Sequence, residues 1–229
     1  MEADFLHVEV PAEAGRVRLP GDLCLPAAAK GIVIFAHGSG SSRLSPRNRA
    51  VARALCRAGF ATLLFDLLTE GEATDRANVF DIALLARRLV DAIGFVRATP
   101  ALAGLPIGLF GASTGAAAAL VAAAAVPGEV RAVVSRGGRP DLAGEALSRV
   151  RAPTLLIVGG ADRPVIPLNG AARARIGAPA ELVIVPGAGH LFEEPGTLEE
   201  VVRLAGAWFL RHLAGAAGAE GGGAAEEEG

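Results

Sequence analysis

The chain has 229 residues, 52% of them apolar and 20% charged, and carries a formal net charge of −2. A chain of this size and apolar content can bury a single core, so wholesale disorder is excluded. A near-neutral balance of 22 basic and 24 acidic residues leaves no electrostatic footprint for nucleic acid or an anionic membrane surface.

The N-terminus, MEADFLHVEV, lacks the basic start and apolar run of a secretory signal. FLHVEV and RVRLPGDLCL alternate apolar and polar residues around a Pro-Ala-Glu-Ala-Gly connection, which predicts an antiparallel hairpin. Short, nearly continuous apolar runs then follow: GIVIFA (31–36), ATLLFD (61–66), PIGLFG (106–111), VRAVVS (130–135), PTLLIVG (153–159) and ELVIVPG (181–187). Runs of this kind read as strands of a parallel sheet covered on both faces.

Helical patterns separate them. Ser45-Pro46 reads as an N-cap and first-turn proline, opening a helix to about Ala58. Residues 78–98 set Ile82, Leu85, Leu89, Ile93 and Val96 on one helical face. Thr197 to Glu200 has the capping-box pattern, followed by a stripe of Val201, Leu204, Ala205 and Trp208. The Ala-rich stretch 115–126 is too short to span a bilayer. Together these elements predict one α/β domain over 1–213, with a mostly parallel sheet, an N-terminal antiparallel hairpin and helices on both faces. Residues 214–229, all Gly, Ala and Glu, are expected to form a disordered tail.

The two cysteines, Cys24 and Cys56, are too few for a disulfide framework and form no zinc-site spacing. With no targeting segment visible, a cytoplasmic, reducing compartment is the expectation. No H-E-x-x-H or Asp-rich calcium loop occurs, so no metal is expected.

The chemistry concentrates around Gly111-Ala112-Ser113-Thr114-Gly115, a G-x-S-x-G between an apolar strand and an Ala-rich helix. Small neighbours permit the sharp strand-to-helix turn that exposes a serine hydroxyl above the sheet. Without chemistry, the same segment would be a glycine-containing turn. A serine needs a base. Of the four histidines, His7 and His212 read as surface or structural residues, and His37 precedes a glycine loop. His190, in the loop after the last apolar run, can reach the elbow and is the candidate base. Asp162, directly after PTLLIVG, is the candidate acid to orient it, with Asp141 as its competitor. Asp66 also ends a strand but precedes the serine, and reads as a hydrogen-bonding tether for the 67–77 loop.

The expected oxyanion donors are the backbone N–H groups of Ser39, in His37-Gly38-Ser39-Gly40, and of Thr114. The rival reading of HGSGSS as a phosphate cradle lacks both G-x-G-x-x-G and a Gly-Lys ending, because Lys30 is the only lysine. Arg43, Arg136 and Arg139 fall on loops at the same edge, as loop anchors or as binders of an anionic substrate group; Arg43 and Arg136 are the candidates.

Five blocks resemble the α/β-hydrolase family, and within it the dienelactone-hydrolase-like group: FAHGSGSSRLSPRNRAVARAL (35–55), LFGASTGAAAAL (109–120), VSRGGRPDLAG (134–144), LLIVGGADRPVI (155–166) and VPGAGHLFEEPG (185–196). The likeness runs from about residue 5 to 213. It implies an α/β-hydrolase fold, a triad in the chain order Ser113, Asp162, His190, and an oxyanion hole of the Ser39 and Thr114 amides. Dienelactone hydrolases use cysteine where this chain has Ser113, so the implied chemistry is cleavage of a small ester or thioester through an acyl-enzyme, with no cofactor. Lipases of the wider family insert a large helical cap where this chain has only residues 136–152, implying a minimal cap. Some relatives are fused to a phosphoribosyltransferase domain. An acyltransferase on the same triad and a non-catalytic binding module are the alternative readings. The expected partner is a small ester or thioester, with neither nucleic acid nor membrane, and the residues leave the oligomeric state open.

Overall fold

The alternating N-terminal residues form a hairpin: β1 (Leu6–Ala12) and β2 (Val17–Cys24) pair antiparallel from Leu6↔Leu23 to Ala12↔Val17. It opens residues 4–214, the part of the chain that the computed structural model describes. The proposed tail lies outside these residues apart from Ala214.

Each apolar run forms one strand: β3 (Ile32–Ala36), β4 (Ala61–Phe65), β5 (Ile107–Ala112), β6 (Val130–Arg136), β7 (Thr154–Gly159) and β8 (Ala180–Val185). They form an eight-stranded sheet in the order β1-β2-β4-β3-β5-β6-β7-β8. β1 and β2 enter antiparallel, and the others run parallel. Every residue of β3, β4, β5 and β7 is buried, as their nearly continuous apolar runs predict. β8 departs from that reading. It is an edge strand with partly open faces, and its Ile184 is 45% exposed.

Helices cover both faces. α1 (Pro46–Arg57) and α7 (Thr197–Leu213) bury Val51, Leu55, Val201, Trp208 and Phe209 against one side. α4 (Ile82–Ala98), α5 (Thr114–Ala125) and α6 (Val165–Arg175) cover the other. Ser45 caps α1 as expected, its hydroxyl accepting Asn48 N–H with Pro46 next in line.

Several local expectations are corrected. The 78–98 pattern is two helices, α3 (Arg76–Phe80) and α4, because the Asp81 carboxylate accepts Leu84 N–H and starts a new helix there. Residues 67–77 also hold a one-turn helix, α2 (Glu70–Ala73), closed by a Thr69–Glu72 capping box. Thr197 makes no capping box: Gly196, at φ +80°, is the N-cap, and the Thr197 hydroxyl donates back to Glu194 O at 2.7 Å. Cys24 and Cys56 are joined in a disulfide, since the ends of β2 and α1 meet with their Cα atoms 6.3 Å apart. Among the described residues no helix is long and apolar enough to cross a membrane.

β3 and β5 lie side by side, yet the chain leaves them in opposite directions, to β4 and to β6. The loops beyond their C-terminal ends therefore diverge and leave a crevice, the usual ligand position in an open parallel sheet. A single ten-residue segment of 3-10 turns, Pro140–Arg149, stands where a larger cap would be inserted.

Candidate active site

Ser113 sits between β5 and α5 with φ +51° and ψ −122°. Positive φ is costly for a residue with a Cβ, and the surrounding packing enforces it. A Cβ at position 111 would strike the backbone of Ala116, and one at 115 would strike the carbonyls of Ala36 and His37. Glycine at both positions lets α5 turn back tightly under the end of β3. The hydroxyl stands at the N-terminal, electropositive end of a 12-residue helix.

β7 and β8 deliver the other two residues. Asp162 follows β7, and its carboxylate meets His190 Nδ1 at 2.6 Å. Asp162 is 11% exposed and His190 is 39% exposed at the side chain. With a carboxylate at that distance Nδ1 carries the proton, which leaves Nε2 as the acceptor. Ser113 and His190 line one cavity of about 300 Å³, together with Ser39, Arg47, Asn48 and Arg136. Among the described residues no direct hydrogen bond joins Ser113 Oγ to His190.

The competing acid is engaged elsewhere. Asp141 accepts two hydrogen bonds from Arg139, both at 2.8 Å, and this guanidinium holds its carboxyl below the usual carboxylate range. His37 is half-buried at the sheet edge. Its Nδ1 donates to Gly38 O at 3.0 Å and its Nε2 accepts Leu67 N–H at 3.1 Å. Burial lowers its pKa from 6.5, so this ring is a neutral brace for the glycine loop. His7 is exposed on the hairpin, and the His212 ring packs against Trp208 with the two planes tilted by 57°.

Ser39 and Thr114 do meet, by a bond the sequence does not show: Ser39 N–H donates to the Thr114 hydroxyl at 2.9 Å. The Thr114 N–H, in the first turn of α5, is one of the donors a helix cannot satisfy internally.

The arginines divide. Arg43 is tied down, with its N–H and Nη1 both donating to Asp66, at 2.7 and 2.6 Å. Asp66 therefore tethers the glycine loop after β3, in place of the 67–77 loop; only the fold brings Arg43 beside it. Arg136 is 5% exposed and donates from Nη2 to Asn48 Oδ1 at 3.0 Å. Burial, with Arg47 beside it, brings its pKa down to about 10, so it stays charged at neutral pH.

Sequence reasoning missed Asn48 and Arg47, which the first turn of α1 brings to the cavity; the Ser45-Pro46 cap was the signal that this helix begins there. It also missed a second cavity of about 390 Å³ across the Gly38–Ser41 loop, with Leu68, Val79 and Leu85 in its wall. Among the described residues no cluster of His, Cys, Asp and Glu could hold a metal ion.

A model of the dienelactone hydrolase family matches residues 19–208. Two Mycobacterium tuberculosis proteins, each named "Putative phosphoribosyl transferase", are 62% identical over 207 residues. The match covers 90% of this chain but only 47% of each relative, so the chain spans about half their length. A dienelactone hydrolase from Anabaena variabilis superposes with a TM-score of 0.89 at 54% identity, over 93% of this chain and all of that one. Est1E from Butyrivibrio proteoclasticus, at 15% identity and a TM-score of 0.75 over 90% of this chain and 98% of its own, shares the fold.

Proposed function

Because the chain belongs to the dienelactone hydrolase family, we propose that it is a serine hydrolase that cleaves a carboxylic ester or thioester of a small substrate through an acyl-enzyme. One observation carries this reading: the 2.6 Å Asp162–His190 pair opens onto the cavity in which Ser113 is held at a strained elbow.

Each residue has one task. His190 Nε2 takes the Ser113 proton as Oγ attacks the substrate carbonyl. Asp162 keeps the opposite nitrogen protonated and stabilises the imidazolium that forms. The negative charge on the former carbonyl oxygen falls to Thr114 N–H at the head of α5. Ser39 N–H is the second donor, exchanging the Thr114 hydroxyl for the oxyanion. When the tetrahedral intermediate collapses, His190 gives its proton to the departing alkoxide or thiolate. Water, deprotonated by His190, then attacks the acyl-serine and regenerates the free hydroxyl. No step calls for a cofactor. Because the stretch between β6 and β7 holds only a ten-residue segment of 3-10 turns, a small or protruding substrate fits best.

The name of the mycobacterial relatives belongs to proteins about twice this length, and the match spans 90% of this chain, in which the hydrolase family model matches residues 19–208. The deciding experiment is fluorophosphonate labelling followed by intact mass, on wild type and Ser113→Ala together. One adduct on wild type and none on the variant is expected, with ester turnover in the variant lowered by about 10³-fold or more. A labelled variant, or a folded wild type inert to the probe, overturns the proposal.

A further inference from the structure

The Gly38–Ser41 loop has a cavity on each side. One holds Ser113 and His190; the other, of about 390 Å³, contains neither. Its wall comes largely from the segment after β4, through α2 and α3 to the first turn of α4. Leu68, Ala73, Val79 and Leu85 line it, with Leu44 at the mouth. Arg43 and Asp66, also in the wall, neutralise one another at 2.6 Å, and Glu70 is exposed. A ligand therefore meets apolar surface there in place of a free charge.

Two large apolar side chains stand in solvent beside this hollow. Leu44 is 56% exposed and Phe80 is 47% exposed. Phe80 lines a shallow trough of about 350 Å³ that shares Ser39, Gly40, Ala73 and Val79 with the cavity. Single exposed apolar residues are ordinary, but these two border one continuous apolar hollow, the form that a ligand groove takes.

The hollow is joined to the chemistry through the glycine loop. Gly38 lines both cavities, and a Cβ there would stand 2.9 Å from Ser113 Cβ and 3.7 Å from its Oγ. The loop that parts the cavities thus lies against the nucleophile. Gly40, at φ +68°, also lines both, and a Cβ there would meet nothing within 4 Å. Glycine at these two positions leaves a path across the loop that a side chain would fill. The tetrahedral carbon formed on Ser113 has three other substituents. Its oxyanion faces the loop N–H groups, and its leaving group faces His190 to receive a proton. His190 lines the cavity of Ser113 and not the second one. The acyl chain is the substituent free to cross the loop.

We infer that the second cavity is an acyl-chain subsite, so that the protein selects esters or thioesters of short-to-medium, uncharged alkyl acids over acetyl esters. The inference rests on the proposed hydrolase reading and names the acyl half of its substrate.

The test measures kcat/KM for p-nitrophenyl acetate and p-nitrophenyl hexanoate, which share a leaving group, each divided by its rate of alkaline hydrolysis. Each methylene withdrawn from water favours binding by about fourfold, so wild type should prefer the hexanoate by about tenfold to two-hundredfold. Ala73 is exposed in the one-turn helix α2, so Ala73→Trp fills the cavity without entering the core. It should bring the ratio close to one. The ratio is the readout, because a change that only loosened the fold would move both rates together. A wild-type ratio of one or less, or a ratio preserved in a folded Ala73→Trp, overturns the inference. If Ala73→Trp does not fold, Ala73→Asp with the same ester pair decides: an unchanged ratio overturns it and a reduced one supports it. Hexyl acetate against ethyl acetate tests the other half of the ester, and a preference confined to that pair overturns the acyl assignment. If wild type turns over no ester, fluorophosphonate labelling tells whether the hydrolase reading has failed. Calorimetric titration with hexanol then decides the cavity alone. Binding that Ala73→Trp abolishes supports the subsite, and no binding, or binding that the variant keeps, ends it.

Discussion

Asp162→Asn should lower ester turnover by 10³- to 10⁴-fold without unfolding the protein. The Asp162 carboxylate lies 2.6 Å from His190 Nδ1. In the transition state it faces an imidazolium whose charge centre is about 4 Å away, an attraction of about 4 kcal/mol at the effective dielectric of a protein site. Loss of a charge-assisted hydrogen bond adds about 1.5 kcal/mol. Together these correspond to roughly 10⁴ in rate. His190 is 39% exposed, so solvent screens part of the attraction and brings the lower bound to about 10³. An asparagine that donates its NH₂ to Nδ1 also forces the proton onto Nε2, which can then accept nothing from Ser113. The assay is p-nitrophenyl acetate hydrolysis beside the second-order rate of fluorophosphonate labelling, with a thermal melt to confirm folding. Asp141→Asn is the control, because Arg139 holds that carboxylate away from the imidazole. Asp162→Asn within tenfold of wild type, with Asp141→Asn down a thousandfold, would refute the assignment.

Two other predictions concern the frame around the site. Replacing both Cys24 and Cys56 by alanine opens a loop of 32 residues and should cost about 3.7 kcal/mol on the chain-entropy scale, read as a lower urea midpoint; equal midpoints would mean that the cross-link does not form in solution. Burial lowers the pKa of His37, and that of His212, from 6.5, so the unfolded chain binds protons that the folded chain refuses. Stability should therefore be complete above pH 6.5 and fall as pH drops below it, toward the lower folded values. His37→Asn should flatten part of that slope between pH 7 and 5, and an unchanged slope in the variant would refute the neutral-brace role.

Much of the architecture is legible because it is dictated locally. A strand buried on both faces carries mainly apolar residues, so β3, β4, β5 and β7 announce themselves as nearly unbroken runs, interrupted only by Thr62 and Thr154. Ser45-Pro46 is legible for a similar reason, since cap and helix are neighbours in the chain. Thr197 shows the limit of this logic. The capping-box pattern is present, but Gly196 reaches φ +80° and takes the cap, leaving Thr197 one position inside the helix. Long-range partners leave no pattern at all. The Cys24–Cys56 bond and the Arg43–Asp66 pair exist because separate elements converge. The triad candidates are legible because each follows a strand end and the sheet places all strand ends at one edge. What the hydrogen bonds do there, such as Ser39 N–H resting on the Thr114 hydroxyl, is set by angstrom-scale placement that residue order does not encode.

The positions where this chain departs from ordinary folding rules fall together. Ser113 holds a backbone conformation that costs about 1–3 kcal/mol for a residue with a side chain. Arg136 buries a charge with no opposite charge beside it. Arg47, also cationic, lines the same cavity as Arg136. Arg136 lends its backbone to β6, but neither its guanidinium nor the strained backbone of Ser113 belongs to the two apolar layers. The ion pairs of Arg88 and Arg43 show that this chain supplies carboxylates to arginines it encloses for structural reasons. A binding module that had only kept the fold would have no use for a strained serine, an oriented imidazole and an unpaired guanidinium in one 300 Å³ space. The hydrolase proposed above would use the strained serine as its nucleophile and the imidazole that Asp162 orients as its base.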